Sequence, residues 1–147
     1  MTTIAQLLRE KGQAVFSIGP DETVYDALQK MAEANVGCLV VLADGKLVGI
    51  VSERDYARNV VLKGRTSPTT HVREIMNTAV LYVTPDRTVE ECMAVMTDRR
   101  VRHLPIIDQG QLIGVISIGD LCLYPTNVDA LSFTMLRDEV AISFQNR

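Results

Sequence analysis

A chain of 147 residues can fold as one compact domain or as two small halves that share a core. Its 47% hydrophobic and 22% charged residues are those of an ordinary globular protein, and with three Phe, four Tyr and no Trp the core must be mainly aliphatic. A net charge of −3 argues against a surface made for nucleic acid or anionic lipid, and no run approaches the ~18 apolar residues of a membrane span.

The first thirteen residues, MTTIAQLLREKGQ, hold no apolar stretch long enough for a signal peptide. Cys38, Cys92 and Cys122 are widely spaced, and none forms a CxxC pair. With His71 and His103 as the two histidines, no zinc site is expected. Buried free thiols fit a reducing compartment, so the expected location is cytoplasmic.

An extended run at 14–18 (AVFSI) opens the ordered part of the chain. Thr23 and Asp26 then form a capping-box pattern, and apolar residues at 24, 27, 28 and 31 mark the buried face of a helix. Two strands follow around Asp44-Gly45, a strong hairpin signal: CLVVLA and KLVGIVS. A second helix is predicted over about 53–62, and 63–76 reads as a linker that reaches a short amphipathic turn. The order then repeats. The run 79–83 (AVLYV), a Thr88/Glu91 capping box, an apolar face at 89, 92, 93 and 96, and the strands HLPIID and QLIGVIS around Gln109-Gly110 occupy corresponding places. After Asp120 the expected helix is interrupted at Pro125, and a helical tail is predicted over about 128–144, docked on this chain or on a second subunit.

Shifting the sequence by 65 lays 20–55 onto 85–120 without a gap. Identical pairs include Pro20/Pro85, Thr23/Thr88, Val24/Val89, Leu39/Leu104, Gly45/Gly110, Gly49/Gly114, Ser52/Ser117 and Asp55/Asp120. This is a duplication, and two copies suggest a closed pair, not an array. The fold class is α/β (α+β in some schemes): tandem βαββα modules with pseudo-two-fold symmetry. Their expected boundaries are 1–65 and 66–124, with an atypical tail at 125–147.

The Pro-Asp-x-Thr-Val segments, the Gly-Cys-Leu-Val-Val and Arg-His-Leu-Pro-Ile strands and the paired Gly-x-x-Ser-x-x-Asp segments (49–55 and 114–120) resemble the cystathionine-β-synthase (CBS) domain family. One Gly-x-x-Ser-x-x-Asp occurs often by chance; two in register do not. The likeness covers roughly 1–123, and the tail departs from it. It implies a stand-alone bacterial CBS pair that binds an adenosine ligand (AMP, ADP, ATP, NAD or S-adenosylmethionine), commonly forms a homodimer and regulates an unknown partner protein. No catalytic cofactor is implied.

A carboxylate can accept both hydroxyls of a ribose, which makes Asp55 and Asp120 the candidate anchors, with Ser52 and Ser117 three residues before them. A hydroxyl there can meet a phosphate or cap the following helix, whose free N–H groups would favour an anion. The resemblance places the adenine slot of the first site at Val36, Gly37, Ile50 and the 78–80 entry (Thr78, Val80), and that of the second at Val101, Arg102, Val115 and the 13–15 entry (Gln13, Val15). Taken singly, these apolar residues read equally as core. Arg102 and His103 match positions that approach phosphates in the family, and Arg54 and Arg58 could serve Asp55's site. Arg99 and Arg100 read rather as cations at a helix C-terminus. The first copy has Ala34-Asn35-Val36-Gly37-Cys38 where the second has this basic run, so the two sites are expected to be unequal.

No nucleophile partners His103 locally, and no acid–base pair or metal constellation is visible, so no enzyme is expected. The alternatives are a ligand-independent dimerisation or interaction module and, less favoured, a nucleotide-processing enzyme.

Overall fold

The computed structural model describes residues 1–12 and 14–124; Gln13 and the predicted 128–144 helix lie outside the described residues. Helix α1 (Ile4–Lys11) opens the chain, followed by strand β1 (Ser17–Ile18), helix α2 (Val24–Ala34), the hairpin β2 (Cys38–Ala43) and β3 (Lys46–Ser52), and a short helix α3 (Glu53–Tyr56). After two 3₁₀ turns come α4 (Val89–Arg99), the hairpin β4 (His103–Asp108) and β5 (Gln111–Ser117), and α5 (Ile118–Leu121).

The duplication recurs in three dimensions, down to backbone detail. Both hairpins turn on two residues of positive φ, Asp44 (51°) with Gly45 (78°) and Gln109 (51°) with Gly110 (79°), which matches the twist of the flanking strands. Both carry a register shift at the same place, Val41/Leu42 and Ile106/Ile107. Both long helices end in a left-handed cap, Asn35 and Arg100. Thr23 and Thr88 cap the helices by accepting the N–H of Asp26 and Glu91, but the reciprocal half of the predicted capping box does not form. The first helical N–H of each goes to an outside carbonyl, Val24 to Thr70 at 2.8 Å and Val89 to Thr2 at 3.0 Å.

Three expectations are modified. The second helix of the first copy is α-helical over four residues and then widens to a π-helix over Ala57–Val61. The runs 14–18 and 79–83 differ: Ser17–Ile18 pair in parallel with β2, whereas Val83 makes an isolated bridge to Ile106. Pro105 gives the reason. Val40, its counterpart, donates its N–H to Phe16 O, a bond that proline cannot make. Of the cysteines, Cys38 and Cys92 are buried, but Cys122 is exposed, because its helix ends there.

The chain packs as two compact units whose limits differ from the halves of the repeat. One joins the first residues to Leu81 and beyond; the other runs from Val15 to Val80. Each long helix receives the segment that precedes the other copy in sequence. In the first unit Ile4, Leu7 and Leu8 of α1 enter a core with Val83, Val89, Cys92, Val95, Met96, Leu104, Ile106, Ile116 and Leu121. In the second, Val72 and Ile75 of a 3₁₀ turn join Ile18, Val24, Ala27, Met31, Leu39, Val41, Val51 and Val60. The two leading segments correspond through their caps, Thr3 with Gln6 and His71 with Glu74. No helix among the described residues is long and apolar enough to cross a membrane.

Candidate functional site

In each unit the second hairpin strand ends at a serine, and the chain turns at once into a four-residue helix. Glycine beneath the strand lets the leading segment approach: a Cβ on Gly49 would lie 2.8 Å from Met76 Sδ and 3.1 Å from Asn77 O, and one on Gly114 would lie 3.0 Å from Leu8 Cδ2.

Ser52 caps α3 by accepting the N–H of Asp55 (3.2 Å), while Asp55 Oδ2 accepts from Ser52 N (2.9 Å) and Ser52 Oγ (3.0 Å). Ser117 and Asp120 repeat the box, with Asp120 N to Ser117 Oγ at 3.1 Å and Ser117 N to Asp120 Oδ2 at 2.8 Å. The structural role of these residues is therefore realised in both copies. It does not exhaust them: these hydrogen bonds converge on Oδ2, and both aspartates stay partly exposed.

The helix N-termini are less available to an anion than the sequence suggests. The first N–H of α3 goes to Gly37 O (3.1 Å) and that of α5 to Arg102 O (2.8 Å), and the third goes to the serine hydroxyl. In four residues, little is left for a phosphate.

Around Asp55 the structure gathers most of the predicted set. Gly37 is tied to α3 through its carbonyl, and Cys38 pairs with Ser52 across the hairpin. Ile50 on β3 exchanges both backbone hydrogen bonds with Asn77 (3.0 and 2.9 Å), which brings the 78–80 entry alongside. Val36 and Ile50 are half-buried and Thr78 exposed, but Val80 is 2% exposed and reads as packing. Arg54 and Arg58 are exposed, Arg58 on the π-helical turn.

Around Asp120 the gathering is partial. His103 pairs with Ser117 at the start of the hairpin, and Arg102 is exposed beside it. Val101 and Val115 are half-buried. Val15 belongs to the other compact unit, and Gln13 is not among the described residues. Arg99 and Arg100 are exposed at the end of α4, Arg99 beside Asp98 (3.3 Å).

One residue here was not anticipated. Lys11 Nζ, at the end of α1, donates to Asp120 Oδ2 and to Val115 O, both at 2.7 Å. Burial works to raise the Asp120 carboxyl, but the hydrogen bonds from Lys11 and Ser117 and the lysine charge hold it below its ordinary value. Burial depresses the His103 imidazole; Asp120 opposes this, and Lys11 and Arg102 reinforce it. The Thr3-x-x-Gln6 cap signals the start of the helix that carries Lys11, but nothing in the sequence ties that helix to Asp120.

As for catalysis, Cys92 is a poor nucleophile: it is fully buried, and burial pushes its thiol up to about 12. Among the described residues no three His, Cys, Asp or Glu side chains are grouped to hold a metal.

The CBS domain family model matches residues 4–62 and 72–126. The chain is 41% identical over 129 residues to the mitochondrial CBS domain-containing protein CBSX3 of Arabidopsis thaliana, spanning 82% of this chain but 63% of that protein's length. It is 33% identical over 109 residues to the CBS domain-containing protein YhcV of Bacillus subtilis, covering 74% and 77% of the two chains. A solved structure from Burkholderia ambifaria MC40-6, described as a candidate signal-transduction protein with CBS domains, is 49% identical with a TM-score of 0.80, over 82% of this chain and 91% of its own.

Proposed function

Because the chain belongs to the CBS domain family, with two CBS domains in tandem, we propose that it is a regulatory sensor of adenosine ligands and not an enzyme. The observation that carries this reading is the paired Ser-x-x-Asp corner. In each unit a carboxylate, fixed by its own capping box, stands partly exposed where a vicinal diol can reach it, Asp120 with Lys11 already on its Oδ2. The half-buried Val36 and Ile50 beside Asp55, and Val101 and Val115 beside Asp120, supply apolar surface for a base. Arg102 supplies charge for phosphates at the second corner, with the neutral His103 imidazole beside it as a hydrogen-bonding group, and Arg54 and Arg58 supply charge at the first.

Signalling requires that the ligand prefer one arrangement of the protein by differential contacts. The protein would act as a cytoplasmic homodimer that presents the selected arrangement to a partner. Thermal-shift measurements with AMP, ATP, NAD and S-adenosylmethionine test the reading. At least one should stabilise the wild type, and the shift should vanish in the Asp55→Ala/Asp120→Ala double variant. Stabilisation by none of them, or equal shifts in the double variant, would leave a ligand-independent interaction module. Turnover of the bound nucleotide would favour an enzyme.

A further inference from the structure

Among the described residues Lys11 has no counterpart at the first corner. There the equivalent carbonyl, Ile50 O, is held by the neutral backbone N–H of Asn77 at 2.9 Å. At the second, the same position, Val115 O, is held by an ammonium that also grips the Asp120 carboxylate. The lysine is delivered by a rigid element. Ile4, Leu7 and Leu8 are no more than 1% exposed, and α1 closes at Gly12 (φ 93°) immediately after Lys11. Tyr124 OH further fixes the helix end by donating to Glu10. The four-carbon stem still leaves the ammonium free to change acceptors while α1 stays in place.

We propose that Lys11 is the specificity-determining residue of the Asp120 corner, selecting phosphorylated adenosine ligands over the bare nucleoside. This deepens, and rests on, the reading that Asp120 anchors a ribose. A diol arriving at Asp120 competes with the ammonium for the carboxylate. Adenosine takes those lone pairs and offers the displaced ammonium no anionic acceptor, so a charge-assisted hydrogen bond is lost in a partly desolvated corner. A nucleotide returns phosphate oxygens, and the ammonium exchanges one anion for another. Arg102, exposed immediately before the strand whose His103 pairs with Ser117, reinforces the preference. Among the described residues the Asp55 corner holds no such lysine, and it does not discriminate on this ground.

The test is calorimetric titration of AMP and of adenosine into the full chain carrying Asp55→Asn, which isolates the Asp120 corner. AMP should bind more tightly than adenosine. Lys11→Met should shrink the AMP-to-adenosine affinity ratio by about tenfold or more, the worth of one charge-assisted hydrogen bond. Lys11→Arg, which keeps the cation, should retain most of the ratio. Circular dichroism of each variant establishes that it is folded. An unchanged ratio in Lys11→Met, with binding still abolished by Asp120→Asn, overturns the role of Lys11 alone. Absence of binding to the Asp55→Asn protein, or binding indifferent to Asp120→Asn, overturns the ribose anchor and this inference together.

Discussion

The two repeat ends share a backbone and differ in what lies over it. At the first, Met76 and Asn77 cover Gly49 and close the strand edge with neutral hydrogen bonds. At the second, α1 covers Gly114 with Leu8 and closes the edge with Lys11. The motif residues are identical in both, so the difference lies in the exchanged leading segments. Duplicated binding corners can thus diverge without touching their anchors, through the element that another part of the chain lays across them.

The largest effect should come from the apolar side of that difference. Leu8→Ala removes a side chain buried to 1% and should cost about 2–5 kcal/mol in chemical denaturation. Met76→Ala, at a half-buried and more adaptable residue, should cost clearly less. Equal losses would mean that the two leading segments are equivalent supports.

Glycine replacement separates the corners in the opposite order. A methyl at Gly49 meets a backbone carbonyl, Asn77 O, at 3.1 Å, as well as Met76. At Gly114 it meets the tip of Leu8, which can yield. Gly49→Ala should therefore lower stability by about 1–3 kcal/mol and Gly114→Ala by less. The reverse ranking would show that α1 is the more rigid cover.

Smaller and symmetric effects are expected at the caps. Ser52→Ala and Ser117→Ala should each cost about 1 kcal/mol by the same denaturation assay. A large inequality would mean that the Lys11 bridge, not the capping box, holds the second corner.

The smallest effect is a titration. His103 is depressed in the folded protein, chiefly by burial, so the unfolded chain binds more protons as pH falls through its ordinary value of about 6.5. The contribution of neutral His103 to stability is therefore present above that pH and is lost below it. Lys11→Met removes one cause of the depression, and the His103 resonance should titrate at higher pH; Asp120→Asn should move it lower. Asp120 has the acid-side counterpart: its lowered carboxyl contributes stability above the ordinary carboxylate range that is lost as pH falls through the folded value.

Much of this was legible in the sequence because it is local. Asp44-Gly45, the Thr caps and the alternation of apolar residues each specify an element within a few residues, and the shift of 65 doubles every signal. The family and its α/β pair followed from the paired Ser-x-x-Asp segments and are borne out by the family match and the solved relatives. What escaped was non-local. The leading segments correspond through Thr3-x-x-Gln6 and His71-x-x-Glu74, which the shift of 65 does not align, so their exchange between units was hidden. The loss of a strand at 79–83 turns on the missing N–H of Pro105, a cross-strand matter. Lys11 lies 109 residues from Asp120 and could not be tied to it by spacing.

Whether the two adenosine corners are unequal is decided by calorimetric titration of AMP into the wild type, Asp55→Asn and Asp120→Asn proteins. Two sites of different affinity are expected, with each substitution removing one and leaving the other. A single class of sites that persists through both substitutions would contradict it.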